Sequence, residues 1–126
     1  MKIWILIFVG GGIGSLCRYL VSRSINSSVV SGFPYGTFLV NVTGCFLIGF
    51  FVFYFTDARF GVTSLQWRLF LITGICGGYT TFSAFSYENV QLFESNQVFT
   101  FLAYTFGSVV LGLLATFGGV LIARVI

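Results

Sequence analysis

Residues 77–85 read GGYTTFSAF, Gly77-Gly78-Tyr79-Thr80-Thr81-Phe82-Ser83-Ala84-Phe85, in the middle of an apolar stretch long enough to cross a membrane. Glycine, serine and threonine are poor helix formers, and with Gly74 just upstream they predict a break in that helix. Unwound backbone in hydrocarbon costs several kcal/mol per unsatisfied group unless protein, water or an ion meets it. Transport proteins use such breaks to bind ions, a cation held by carbonyls being the sharp version. A hydroxyl-rich packing seam between helices is the competing reading of the same residues.

The surrounding composition places this stretch in a bilayer. Of 126 residues, 57% are hydrophobic, 7% charged and none histidine, so the chain cannot cover itself with a polar surface. Six basic and three acidic residues exclude a nucleic-acid partner. Cys17, Cys45 and Cys76 lie in apolar runs without metal-ligand spacing and read as small helix residues. Four apolar stretches, near 3–22, 36–55, 67–92 and 98–123, each approach the roughly 20 residues that span about 30 Å of hydrocarbon. Ser-rich SRSINSSVVSGFP and TDARFGVTSLQ read as loops, and the turn around ESNQ is tight. The first run continues past any signal-peptide length without a cleavage pattern, so it reads as a retained span. The expectation is one domain over residues 1–126, all of it in the membrane.

Four spans put both termini on one side, with Lys2, Arg59, Arg68 and Arg124 against Arg18 and Arg23 on the other. That excess of about two charges is a weak orientation signal. The chain is able to insert either way round.

Among the small residues, Gly10 with Gly14 and Ala103 with Gly107 fit close helix packing. GGGIGS lacks the third glycine and the strand–turn–helix setting of a nucleotide fingerprint. Polar residues inside spans are candidates for function by default. Asn41 offers two amide donors, with Thr37 one turn before it on the same face. Tyr104, Ser108 and Thr116 recur at helical spacing with Gly112 in the missing place, a line of hydroxyls down one face. Interhelical hydrogen bonding explains each singly; together they suggest a polar track. Glu88, two turns beyond Thr81, fits a structural role, a water-filled vestibule or pairing with Arg18. Phe82 and Phe85, three apart on one face, add positively polarised ring edges. Such a lining of neutral donors without a carboxylate ring points to a small polar or anionic solute.

Three stretches, GGIGSLCRY, GTFLVNVTGCFLIG and GICGGYTTFSAFSYE, resemble the signatures of the Fluc (CrcB-type) fluoride channels. The likeness runs from about Gly10 to Thr116, with Gly112 standing where the family often has a hydroxyl. It implies an all-α membrane protein of four transmembrane helices, the third broken near its middle. It further implies an antiparallel, dual-topology dimer in the cell (inner) membrane, with an identical chain or a sister subunit as partner. In that resemblance Asn41, Thr81, Phe82, Ser83, Phe85, Tyr104, Ser108 and Thr116 line the fluoride pore. Arg18 and Glu88 belong to a vestibule, and the backbone carbonyls of Gly77 and Thr80 hold a structural Na+ that is not transported. Fluoride would leave the cytoplasm down its gradient, protecting the cell without any enzymatic step. The rivals are a small dual-topology multidrug exporter, which needs a first-span carboxylate that is missing here, and a non-transporting assembly subunit, which leaves the clustered hydroxyls unexplained.

A reporter fused to the C-terminus should therefore appear on both sides of the membrane in comparable amounts. A strictly one-sided reporter would instead indicate a heteromer or a parallel assembly.

Overall fold

Apolar length alone gives the chain its elements. A computed structural model describes residues 2–28, 32–55 and 61–126, and the regular structure among them is entirely helical. Helix α1 is Ile3–Ser28, α2 is Tyr35–Tyr54 and α3 is Val62–Arg68. A π-wound segment, Leu69–Cys76, continues α3 into the last turn, α4 (Gly77–Tyr79); α5 (Phe82–Glu94) and α6 (Val98–Val125) follow. Four spans, Ile3–Ser27, Tyr35–Tyr54, Ser64–Glu94 and Val98–Val125, are long and apolar enough to cross a membrane.

Two helices overrun their expected ends. SRSINSS, read as loop, prolongs α1 to Ser28, where the side chain of Asn26 accepts a hydrogen bond from Gly36 N at 3.1 Å and so meets an orphan amide at the start of α2. The helix that opens the third span starts at Val62 rather than near 67, behind Gly61 at φ 55°. The remaining loop residues, 29–31 and 56–60 with Arg59, lie outside the described residues. The ESNQ turn is as tight as expected. Asn96 takes φ 57°, its N–H bonds to Phe93 O and that of Gln97 to Leu92 O, the paired pattern of a Schellman cap with asparagine in the left-handed position.

The helices alternate in direction and pack as two close pairs. Helix α1 lies on the third span, where a Cβ at Gly10 would stand 2.5 Å from Phe70 O and one at Gly14 2.8 Å from Tyr79 N. The Gly10–Gly14 packing expectation holds. Helix α2 lies along α6, but Ala103 is exposed and a Cβ on Gly107 would meet nothing closer than Phe38 at 3.8 Å. The seam runs instead through Gly119, where a Cβ would stand 2.7 Å from Phe50 N, and through Gly49 against Thr116 backbone. Ala103 and Gly107 stand off this seam, so backbone approach happens further along the helix, where Gly119 meets the α2 backbone and Gly49 the α6 backbone. Large apolar side chains such as Trp4, Phe8, Phe99 and Phe106 point outward.

The third span is broken, as GGYTTFSAF predicts, but at the threonines and not the glycines. Gly77 and Gly78 remain helical, whereas Thr80 (φ −81°, ψ 156°) and Thr81 (φ −149°, ψ 120°) are extended. Two adjacent β-branched residues favour extended backbone, while Gly78 serves approach: a Cβ on it would stand 3.1 Å from the Gly11 carbonyl carbon.

Gly119→Ala should lower the unfolding midpoint in detergent, since overpacking a backbone seam costs about 1–3 kcal/mol. Gly12→Ala, with open space around its new methyl, should not. Equal midpoints for the two would contradict this packing.

Candidate functional site: a cavity at the broken helix

Breaking the third span frees backbone groups at membrane depth, and one side chain meets two of them. Asn41 Nδ2 donates to Thr81 O at 3.0 Å, and Thr81 N donates to Asn41 Oδ1 at 2.8 Å. The amide thus pairs with Thr81 as a neighbouring β-strand would. Its second Nδ2 proton is left over.

Local chemistry completes the break. Thr80 N and Thr80 Oγ1 both donate to Cys76 O, at 3.0 and 2.9 Å, closing the upper helix. Thr81 caps the lower one, its Oγ1 accepting from Ala84 N at 3.2 Å. Gly44 on α2 makes room, because a Cβ there would collide with the Thr80 methyl. Ser15 on α1 reaches Gly78 O in a long 3.4 Å contact, and Tyr79 and Thr43 share a hydroxyl pair at 3.1 Å.

A cavity of about 350 Å³ opens beside this break. Of the sequence candidates, Asn41, Gly77, Thr80, Thr81, Phe82, Phe85 and Ser108 all line it. Ser108 Oγ is buried and has no hydrogen-bond partner among the described residues. The Phe82 and Phe85 rings lie 5.8 Å apart, and Phe82 is 79% exposed. Ser83, exposed at the first turn of α5, pairs its hydroxyl with that of Thr81 at 3.2 Å.

The other candidates lie elsewhere. Tyr104 is fully buried behind Phe85, ring centroids 5.1 Å apart, and does not line this cavity. Thr116 sits about three turns further along α6 and spends its hydroxyl proton on Gly112 O at 3.0 Å, while Gly112 faces Cys45. Glu88 lines a second cavity, of about 430 Å³, at the end where α1 and α5 finish and α2 and α6 begin. Glu88 is not paired with Arg18: its two oxygens accept from Thr37 at 2.7 Å and Tyr104 at 2.6 Å, on α2 and α6. Arg18, half-buried on α1, lines neither cavity.

Sequence reading missed the Thr37–Glu88–Tyr104 cluster as a unit, and it missed buried Asn89, which accepts from Thr105 and donates to Phe85 O. The only signal for these was polarity at helical spacing. The cysteines are unbridged, and no group of three or more metal-type ligands occurs among the described residues.

Electrostatically the break has two characters. The end of α4 presents carbonyls and partial negative charge, and the N-terminus of α5 presents amides and partial positive charge. Four spans and a largely apolar cavity with a few polar groups at an unwound segment define a small multi-pass membrane protein of the ion-handling kind. Residues 5–120 match the family described as "CrcB-like protein, Camphor Resistance (CrcB)". The chain belongs to that family. It is 50% identical over 124 residues, 98% of each chain, to a protein of Flavobacterium psychrophilum named fluoride-specific ion channel FluC. Proteins of the same name from Phocaeicola vulgatus (48% identical, 95% of this chain and 97% of the relative) and Aquifex aeolicus (41%, 98% of each) are also similar.

Asn41→Leu keeps bulk but strands the Thr81 N–H and C=O, at about 1–3 kcal/mol for each group. Faster amide exchange at Thr81 and a lower unfolding midpoint are the expected outcomes; a Thr81 amide as protected as in the parent would show that something else holds the break.

Proposed function

We propose that the chain is a fluoride-specific ion channel of the cell membrane, not an enzyme, through which fluoride leaves the cytoplasm down its gradient. The observation that carries this reading is the 50% identity, along 98% of both chains, to a protein of that name. The cavity supports it physically. Fluoride is small and strongly hydrated, so leaving water requires compensating donors along its path. Asn41, with a spare N–H, and Ser108, whose buried hydroxyl has no partner among the described residues, line one cavity together with Phe82 and Phe85, whose ring edges are positively polarised. Thr81 and Ser83 stand at the α5 N-terminus, where the helix dipole also favours an anion.

A dual-topology dimer, lipid around it, accounts for what one chain leaves open. Phe82 is exposed, and a Cβ on Gly77 would find nothing nearer than 3.8 Å, so its small size answers to nothing in its own chain. A structural Na+ fits the donor set of the Gly77 and Thr80 carbonyls, hard oxygens at the negative end of a helix and on the wall of the cavity. Bound there, the ion would supply a fixed positive charge that neutralises carbonyls at the break. Two carbonyls are too few for a hard cation, and the same pair from an antiparallel second copy would bring the protein oxygens to four.

In liposomes, Asn41→Asp should abolish fluoride release, since an ionised carboxylate repels the anion and cannot donate to Thr81 O. Phe82→Ile and Phe85→Ile should slow release while assembly by gel filtration stays normal. If all three assembled and passed fluoride at the parental rate, this path would be wrong. Replacing sodium with a large organic cation should also stop the flux, and undiminished release would remove the cation site.

A further inference from the structure

A threonine inside a helix commonly returns its hydroxyl proton to the carbonyl one turn before it, as Thr43 does to Leu39 O and Thr116 to Gly112 O. Thr105 does not. Its Oγ1 crosses from α6 to α5 and donates to Asn89 Oδ1 at 2.7 Å, while Asn89 Nδ2 donates to Phe85 O at 2.8 Å. Asn89 is buried, where an amide is costly unless it is paired. Two apolar side chains would give the same cohesion without that cost, so the pair answers to geometry.

What it fixes is Phe85. Phe85 and Asn89 stand four apart on one face of α5, and two neighbours on α6 meet them both. The Tyr104 ring lies 5.1 Å from that of Phe85, and Thr105 bonds to Asn89. Helix α5 begins after the extended Thr80 and Thr81, so no continuous helix sets its rotation from upstream. Turning α5 by one residue, about 100°, would carry the Phe85 ring off the cavity wall. Glu88 ties the adjoining residue to α2 and α6, and Asn89 adds the hold on Phe85's own face.

Resting on the channel reading above, we infer that Asn89 and Thr105 are positioning residues for the fluoride path: they fix the rotation of α5 so that Phe85 stays on the wall of the cavity beside the break. Neither lines that cavity, and both act through Phe85.

The test follows fluoride release from liposomes holding the full chain, with a single para-fluorophenylalanine at position 85 as a second readout in detergent. Thr105→Val keeps the shape but has no proton for Asn89, whereas Thr105→Ser keeps the proton. Thr105→Val should slow release by about threefold or more, the order that one hydrogen bond sets, and shift the fluorine resonance of residue 85. Thr105→Ser should leave both readouts at the parental values. In a Phe85→Ile background, Thr105→Val should slow release no further, because the ring it positions is gone. An assembled Thr105→Val with parental flux or an unmoved resonance would overturn the inference. So would equal slowing by Thr105→Val with and without the Phe85 ring, which marks a general loss of packing. Should Thr105→Val fail to assemble, Asn89→Leu, which removes the amide and fills its space, takes its place with the same expectations. A parent that releases no fluoride would overturn the channel reading, and this inference with it; the other failures, in a parent that conducts, overturn the inference alone.

Discussion

The two hydrogen bonds between the Asn41 amide and the Thr81 backbone are the constraint on which the rest depends. An unwound residue in hydrocarbon survives only if its N–H and C=O are met, and an asparagine side chain offers the matching donor and acceptor in one rigid plane. With that pairing in place, Thr80 and Thr81 lie extended, α4 ends in carbonyls and α5 begins in amides. The cavity follows from the break. The few polar groups in its mostly apolar lining come largely from the same residues that build it.

Precision at this point requires close backbones around it. Gly10, Gly14 and Gly78 bring α1 onto the third span directly above the break, and Gly49 and Gly119 lock α2 to α6. Helix α2 therefore enters the site already fixed by a partner other than the broken helix. Gly44 adds the last allowance, the space for the Thr80 methyl. Without a hydrophobic force between helices in lipid, such van der Waals contact and interhelical hydrogen bonding supply most of the cohesion. On the α5–α6 side hydroxyls take over, through Thr37, Glu88 and Tyr104 and through Asn89 and Thr105.

Much of this was legible in the sequence. Apolar length gave the spans, GGYTTFSAF gave the break, and Asn41, Phe82, Phe85 and Ser108 do meet at one cavity beside it. What escaped depended on facts that a linear reading lacks. Which residues of the motif unwind is tied to what lies opposite: Gly78, against α1, stays helical, while Thr80, against Gly44, and Thr81, paired with Asn41, do not. Helix α1 outlasts its apolar run because Asn26 finds the Gly36 amide. Spacing alone grouped Tyr104, Ser108 and Thr116, yet the destination of each hydroxyl proton differs, and only the neighbours on other helices reveal it.

The proposed channel requires that this chain by itself forms a selective path for fluoride at its broken helix. Liposomes made with the purified chain alone, loaded with equal fluoride and chloride and followed with ion-selective electrodes, test it most directly. Fluoride should be released and chloride retained. Vesicles that held their fluoride, or released both anions together, would contradict it.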